Sequence, residues 1–314
     1  MALRASLAWV LLLGGIAGLL AGCGEDSGDS ADVIATTVQI GALTRQVAGD
    51  LLVVHTLVGP GVDPHEYEAN ATDLRRIGDA KLVLRNGIGL DEFLDRALES
   101  GEAERVVTTT EGIELRHADE ESEVEGDHAE EGDDHDHRGE DPHVWHDPLN
   151  VKIMVDNIVE ALAEAFPDDA ATFRQNGDAY KAVLDRTDAE IRQLIESIPP
   201  ENRKMVTNHD AFGYFIDRYG LTYVGAVIPG LSTQGEPSAK DLADLEETIR
   251  SEGVKAIFAE SSVDPKVARE IASDTNVRIV DDLYGDSLGE EGTDAATVHG
   301  MLLANARTIA NALR

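Results

Sequence analysis

The residues best suited to chemistry lie in the stretch DDHDHRGEDPHVWHDP, residues 133–148. It holds several histidines among carboxylates and ends at Asp147-Pro148, where Asp would cap a helix and Pro would take the first helical position. Backbone geometry can therefore fix His143, which lies just before this predicted helix. We predict that His143 is a permanent metal ligand and that the other histidines of the stretch assist it with weaker contacts to the metal.

Further metal-competent side chains follow predicted strands elsewhere in the chain. His65 lies in the turn-rich segment GPGVDPHEYE, His209 comes directly after a strand that ends at Asn208, and Asp286 follows the last predicted strand. In open parallel sheets, ligands bind outside the carboxyl ends of the strands. A single histidine at such a place more often lies on the surface or caps an element. Together with His143, however, these candidates converge from both halves of the chain, which favours one shared site.

Three imidazoles and one carboxylate form a ligand set that suits Zn²⁺ at about 2.0 to 2.2 Å. Mn²⁺ is the alternative if Asp286 binds through both of its oxygens. Nitrogen outnumbers oxygen in the set, so zinc is favoured. Because imidazole must be neutral to bind a metal, we expect affinity to weaken as the pH falls through about 6.5.

Other titratable residues near these positions could support the site. Glu66 neighbours His65, and Glu260 ends a predicted strand on the same edge, so either glutamate could orient an imidazole. His146 could pack under His143 or face solvent, and we favour solvent. Two more histidines are expected to be structural, one inside a strand and one in the final helix: His55 and His299.

The acidic segment 117–140 carries further histidines but few apolar residues to anchor it. One interpretation is a solvated acidic loop. The other is an auxiliary loop that captures Zn²⁺ weakly and raises its concentration near the tight site. Its histidines are His117, His128, His135 and His137.

The elements that must position these side chains alternate between β-rich runs and helical periodicity, a pattern typical of α/β folds with parallel sheets. We predict two lobes, each with a mostly parallel four-stranded sheet flanked by helices, at residues 33–166 and 202–314. One rigid helix at 168–198, about 45 Å long at 1.5 Å per residue, would join them. The metal site would lie in the cleft between the lobes. The predicted strands begin near residues 33, 51, 81, 105, 204, 222, 255 and 277, and helices are predicted at 40–49, 72–78, 91–99, 211–219, 238–251, 265–273 and 295–313.

The composition is consistent with this organisation. The chain has 314 residues, of which 42% are hydrophobic, enough for two domains that each have a core. The formal net charge of -35 argues against a nucleic-acid partner, because phosphates would not be neutralised. A cationic or neutral partner fits better.

The N-terminus resembles a lipoprotein signal. Residues 1–22 combine Arg4, a short apolar run and small residues directly before Cys23, the one cysteine of the chain. This pattern is typical of secretion and too short for a stable membrane span. Cys23 would carry the lipid and residues 23–32 would be a tether, which predicts an extracytoplasmic protein anchored to the bacterial membrane. The alternative is an ordinary secreted protein with a stray cysteine.

Taken together, these motifs resemble the zinc/manganese solute-binding lipoproteins of ABC importers. The resemblance rests on the motifs DPHEYE at 63–68, NGIGLD at 86–91, DPHVWHDP at 141–148, NHDAFGYF at 208–215, EPSAKDL at 236–242 and DSLG at 286–289.

The resemblance implies two α/β lobes, a long joining helix and metal ligands at His65, His143, His209 and Asp286. It also implies a monomer that delivers metal to a membrane permease. Manganese-binding members tend to carry a carboxylate at the third ligand position, where this chain has His209. A zinc-binding member is therefore expected, with a manganese- or iron-binding member of the same class as the alternative.

Two functions of other classes remain as alternatives. A secreted zinc hydrolase would use the three histidines with Glu66 or Glu260 as its base and would need an open position for water. A surface adhesin would use the metal only for structure and would unfold without it. We predict a binding protein and not an enzyme, because four protein ligands leave no open coordination position.

Overall fold

The computed structural model describes residues 31–95, 105–117 and 139–314. The predicted signal and its cysteine, most of the tether and residues 118–138 of the acidic loop lie outside this part. Within the described residues, no helix combines the length and the apolar character that a membrane crossing requires.

The N-terminal lobe contains a parallel sheet in the order β2-β1-β3-β4. Its strands are β1 (Val33–Ala35), β2 (Val54–Thr56), β3 (Leu82–Arg85) and β4 (Val106–Thr108), and its helices are α1 (Val38–Ala48), α2 (Ala71–Asp79) and α3 (Pro148–Ala165). The last helix begins as predicted, since Asp147 accepts a hydrogen bond from the Leu149 amide at 2.8 Å and Pro148 is the first helical residue.

The C-terminal lobe repeats this arrangement with the order β6-β5-β7-β8, again all parallel. Its strands are β5 (Lys204–Thr207), β6 (Thr222–Ala226), β7 (Ala256–Glu260) and β8 (Arg278–Leu283), and its helices are α5 (Gly213–Tyr219), α6 (Ala239–Glu252), α7 (Lys266–Thr275) and α8 (Val298–Leu313). In each sheet the strand order reverses beside a central strand, so a crevice opens at the carboxyl ends of the strands. The predicted fold class is confirmed.

The long helix joins the two lobes. It is α4 (Ala170–Glu196), with 27 residues and a length of about 40 Å at 1.5 Å per residue. It packs against α3, where Gly177 allows close approach: a Cβ atom at this position would lie 2.5 Å from a methyl carbon of Val159. The helix is therefore held firmly against the first lobe along its N-terminal half.

The two lobes share one apolar core. It runs without interruption from the inner face of the first sheet, through Phe173 on α4, to Phe258 in the second sheet. Alternate strand residues face outward, so Ile34 and Ile257 belong to smaller separate clusters. The expectation that each half has its own core is thus only partly correct, because the inner helices cover both sheets at once.

One predicted helix differs in its described part. The segment 91–99 was expected to be helical, but it begins with a single 3-10 turn, Glu92–Leu94, and residues 96–104 lie outside the described part. The carboxylate of Asp91 accepts hydrogen bonds from the amides of Asn86 and Gly87 and from the hydroxyl of Thr36. This residue therefore closes the loop before it and does not cap a regular helix.

Candidate metal centre

Each candidate ligand follows a strand at the edge that the parallel-sheet rule predicts. His65 lies in the loop after β2, His143 precedes the 3-10 turn Val144–His146, His209 is two residues past β5, and Asp286 is three residues past β8. The first two residues come from the N-terminal lobe and the other two from the C-terminal lobe. The site consequently spans the boundary between the lobes.

Both N-terminal histidines belong to the same local motif, Asp-Pro-His. The Asp63 carboxylate accepts a hydrogen bond from the backbone amide of His65 at 2.9 Å, and the Asp141 carboxylate accepts one from the amide of His143 at 3.0 Å. This side-chain-to-backbone turn is a favoured conformation of aspartate. The repeated motif fixes the backbone of each histidine before any long-range contact forms.

The four side chains present their ligand atoms to one point. Nε2 of His143 lies 3.3 Å from Nε2 of His65 and 3.4 Å from Nε2 of His209. The carboxylate oxygens of Asp286 lie 3.3 Å from Nε2 of His143, 3.3 Å from Nε2 of His209 and 3.4 Å from Nε2 of His65. One ligand atom from each residue lies within 4.8 Å of all the others.

These separations match those between ligands of one small metal ion. Ligands placed about 2.0 to 2.1 Å from a zinc ion are about 3.3 to 3.4 Å from one another at the corners of a tetrahedron. The side chains of His143, His209 and Asp286 are fully buried, and that of His65 is 8% exposed. The donor set and its spacing thus fit a divalent transition-metal ion in a closed site.

Two further carboxylates orient the imidazole rings from behind. Oδ1 of Asp141 lies 2.8 Å from Nδ1 of His143, and Oε1 of Glu260 lies 2.5 Å from Nδ1 of His209. A carboxylate at Nδ1 holds the proton on that nitrogen and leaves the Nε2 lone pair free for a metal. Sequence reasoning proposed Glu260 for such a role but missed Asp141, although its position in the Asp-Pro-His motif was a usable signal.

The backbone around Glu260 is shaped to receive its carboxylate. A Cβ atom on Gly285 would lie 1.6 Å from Oε2 of Glu260, so only glycine fits at this position. The same oxygen accepts a hydrogen bond from the Asp286 amide at 3.2 Å. Glu260 therefore holds both His209 and the segment that carries Asp286.

The charges of the site favour cation binding. Burial raises the pKa of Asp286, but His209 and His143 outweigh this effect and hold it well below its usual range. Burial lowers the pKa of His143, yet Asp286 and Asp141 together raise it well above its ordinary value. His209 shows the same balance, with Glu260 and Asp286 raising its pKa against burial. The site thus attracts protons when it holds no metal.

Hydrogen bonds across the lobe boundary hold the metal-binding loops together. The indole Nε1–H of Trp145 donates to the carbonyl oxygen of Gly285 at 3.0 Å, and the Gly61 amide donates to Oγ of Ser287 at 2.7 Å. The side-chain amide of Gln234 donates to the carbonyl oxygen of His65. Each bond joins a segment next to a candidate ligand to the opposite lobe.

The expected position of His146 was wrong. Its ring is fully buried and packs 4.7 Å from the Phe212 ring and 5.8 Å from the Trp145 ring, centroid to centroid. Among the described residues, neither ring nitrogen has a hydrogen-bond partner. Burial, followed by the nearby His143, lowers the pKa of His146 to about 3. It packs behind the site as a neutral aromatic ring because α5 covers it.

The other predicted residues have separate positions. Glu66 is exposed, and within the described part of the chain its carboxylate makes no hydrogen bond to the candidate ligand rings. His55 lies in β2 with its Nε2 3.3 Å from Nη1 of Arg76, and His299 lies in α8 with its Nδ1 3.3 Å from the Tyr180 hydroxyl. Both therefore have protein partners outside the metal centre.

The acidic loop is described only at its base. There His117 pairs with Glu140 in an isolated antiparallel bridge, and Glu140 directly precedes the Asp141 that orients His143. The remaining loop histidines, His128, His135 and His137, lie outside the described residues.

Comparison with known families decides the identity of the fold and the site. The family described as "Zinc-uptake complex component A periplasmic", ZnuA, matches residues 33–312. The chain belongs to the ZnuA family. Its members are metal-binding solute-binding proteins of ABC importers, so the resemblance predicted from the sequence is confirmed. This ZnuA-family protein is a non-enzymatic, extracytoplasmic binding protein with a His₃Asp site for Zn²⁺ or Mn²⁺.

Individual relatives differ in the metal that their names give. The manganese-binding lipoprotein MntA of Bacillus subtilis is 36% identical over 94% of this chain and 95% of its own length. The zinc-binding protein TroA of Treponema pallidum is 33% identical over 98% of this chain and 97% of its own length. The relatives therefore establish a metal-binding protein without distinguishing zinc from manganese.

Solved structures give the same result. The periplasmic zinc-binding protein TroA from Treponema pallidum superposes with a TM-score of 0.78 and 32% identity, covering 91% of this chain and 99% of that one. A manganese-bound periplasmic metal-binding protein from Candidatus Liberibacter asiaticus superposes with a TM-score of 0.76 and 26% identity, covering 90% and 99%. The fold and its joining helix are thus shared by binders of either metal.

Proposed function

We propose that this ZnuA-family protein captures extracytoplasmic Zn²⁺ with high affinity and delivers it to the permease of an ABC importer. The ion would be held by His65, His143, His209 and Asp286. The observation that carries the proposal is the set of separations between 3.3 and 3.4 Å that join Nε2 of His143 to the other three side chains. Such spacing places four donors around a small cation, and zinc accepts four nitrogen and oxygen ligands readily.

The choice of zinc over manganese rests on the donor types. Three imidazole nitrogens and one carboxylate favour Zn²⁺, whereas Mn²⁺ prefers more oxygen and a higher coordination number. Manganese remains the second candidate for a specific reason: both oxygens of Asp286 face the imidazoles, at 3.3 Å from His143 and 3.3 Å from His209. Two-oxygen binding by this residue would give five donors.

A direct experiment separates the two metals. Purified mature protein is examined by elemental analysis and by competitive titration with Zn²⁺ and Mn²⁺, and the same titration is repeated on His209→Glu. We expect the wild-type protein to prefer zinc and the variant to shift toward manganese. Glu66→Gln is the matched control, because its side chain is exposed and its substitution should leave the preference unchanged. An unaltered preference in His209→Glu would overturn the selectivity argument.

Lipoprotein relatives support a membrane anchor. We propose that Cys23 carries a lipid that anchors the mature chain to the membrane surface, and that the protein acts as a monomer beside its permease. The surface adhesin is the competing possibility, with metal serving only stability. Metal uptake by cells that lack the protein distinguishes them, since an adhesin's loss would leave uptake unchanged.

A further inference from the structure

Arg116 lies where the acidic loop begins and contacts both lobes. Its Nη1 is 2.9 Å from Oδ2 of Asp141 in the N-terminal lobe, and its Nε is 2.6 Å from Oδ2 of Asp217 on α5 in the C-terminal lobe. Asp141 is fully buried, whereas Asp217 is 63% exposed. One guanidinium thus joins a buried carboxylate of the site region to a surface carboxylate of the opposite lobe.

The two oxygens of Asp141 have different partners. Oδ2 accepts from Arg116, while Oδ1 lies 2.8 Å from Nδ1 of His143 and 3.0 Å from its backbone amide. If the guanidinium were absent, the carboxylate would be held only at Oδ1, by His143 itself, among the contacts that the described residues make. The orientation of the His143 ring therefore depends on Arg116, which contacts Asp141 and not the ring itself.

The backbone reinforces the same arrangement. The Tyr214 hydroxyl accepts from the Arg116 amide at 3.0 Å and donates to the Asp141 carbonyl oxygen at 3.0 Å. The Asp141 amide in turn donates to the Arg116 carbonyl oxygen at 2.9 Å. The first residue of α5, Gly213, leaves the space that the guanidinium occupies, since a Cβ there would lie 1.7 Å from Nη1 of Arg116. Any larger residue would displace it.

We propose that Arg116 is a positioning residue for His143. Its guanidinium, held by α5 of the C-terminal lobe, fixes Asp141 in the orientation that keeps Nδ1 of His143 occupied and turns Nε2 toward the metal. The contact between the lobes at α5 therefore affects how well His143 is oriented to bind the metal. This inference rests on the proposed metal-binding function and adds to it a residue that touches no metal ligand itself.

The test uses the rate at which zinc-loaded protein releases Zn²⁺ to an excess of a chromogenic chelator. Residues that orient metal ligands typically contribute tenfold to a hundredfold in affinity, so we expect Arg116→Ala to release zinc about tenfold faster or more. Gly213→Ala, whose methyl group would crowd both the guanidinium and, at 2.9 Å, Oδ2 of Asp141, should act in the same direction. The Nδ1-protonated tautomer of His143, followed by ¹⁵N NMR, should become less populated in Arg116→Ala.

Arg218→Ala is the matched control. Arg218 also lies on α5 and pairs across elements, 3.1 Å from Asp147 and 2.9 Å from Asp188, but neither carboxylate contacts a metal-binding ring. Its release rate should match that of the wild type even if its thermal stability falls. The double variant Arg116→Ala/Asp141→Asn should release zinc no faster than Asp141→Asn alone, because both changes break the same connection.

The outcomes separate this inference from the proposed function. A wild-type protein that retains no zinc would remove the proposed function itself. A wild type that retains zinc, with Arg116→Ala releasing it at the wild-type or Arg218→Ala rate, would overturn only the role of Arg116. The role of Arg116 would also be overturned if Arg116→Ala had an equally large effect in protein that already carries Asp141→Asn.

Discussion

Oε1 of Glu260 lies 2.5 Å from Nδ1 of His209, and both side chains are fully buried. Glu260 is the last residue of β7 and His209 follows β5, its neighbour in the sheet, so the pair is held by the sheet itself. A rigid carboxylate at this position sets the tautomer of the imidazole before metal arrives. Affinity is therefore built partly from residues that the metal does not contact.

The Glu260→Gln substitution tests this arrangement. A glutamine amide cannot accept from both the His209 ring and the Asp286 backbone amide, since its NH₂ group would face one of these donors. We expect zinc affinity to fall about tenfold to a hundredfold, measured by competition with a chelator of known affinity. Equal affinity in the variant and the wild type would show that His209 needs no orienting carboxylate.

The pH dependence of metal binding follows from the raised pKa values of two ligands. In the metal-free protein, Asp286 and Asp141 outweigh burial and hold the pKa of His143 well above its ordinary value, and the pKa of His209 is raised as well. Protons therefore compete with metal above the ordinary histidine range, and affinity should keep rising as the pH increases past about 6.5. Competitive titrations from pH 5 to pH 9, corrected for the chelator's own protonation, measure this. A plateau that begins at pH 6 would contradict it.

His146→Phe should stabilise the protein. In the part of the chain that the structure describes, the two buried ring nitrogens have no hydrogen-bond partner, and burial lowers the pKa of the ring to about 3. Below about pH 6.5 the unfolded chain takes up a proton that the folded chain does not, so wild-type stability declines with falling pH by up to about 1.4 kcal/mol per unit. Phenylalanine removes this loss, and urea unfolding should show a larger gain at pH 5 than at pH 7.5.

The control for this substitution is His299→Phe. That ring is half-buried and bonded to the Tyr180 hydroxyl, so its replacement leaves this buried hydroxyl with only the 3.4 Å hydrogen bond from the His299 backbone amide and should not stabilise. Zinc affinity of His146→Phe is measured in parallel and should be unchanged. A loss of tenfold or more would mean that His146 supplies a nitrogen to the metal.

Deleting residues 118–138 tests the auxiliary role predicted for the acidic loop. A short Gly-Ser linker in their place leaves room for a turn, so that the bridge between His117 and Glu140 can form and the tight site should keep its affinity. Uptake at scarce zinc should slow, because weak capture near the site is lost. A second variant that changes only His128, His135 and His137 to Asn preserves the charge of the loop. Slowing in the deletion but not in this variant would assign the effect to charge and not to imidazole.

Sequence patterns predicted the fold and the converging side chains because both depend on local signals. Strand alternation, the Asp-Pro-His turn and the Asp147-Pro148 cap operate over a few residues. Asp141 was missed although its Asp-Pro-His motif carries a local signal, because it contacts the ring of His143 two residues away. His146 was misjudged because Phe212, directly before α5 and more than sixty positions along the chain, packs over it, and no periodicity within its own segment reports that cover.

The apolar interior that both sheets share has a consequence for the whole molecule. The two lobes cannot separate by a hinge motion without exposing the apolar faces of α4 and its neighbours to water. The metal would therefore leave through rearrangement of the metal-binding loops while the two lobes stay packed together. A fragment that contains a single sheet would expose the same apolar face and aggregate. The two lobes should therefore fold and unfold as one unit.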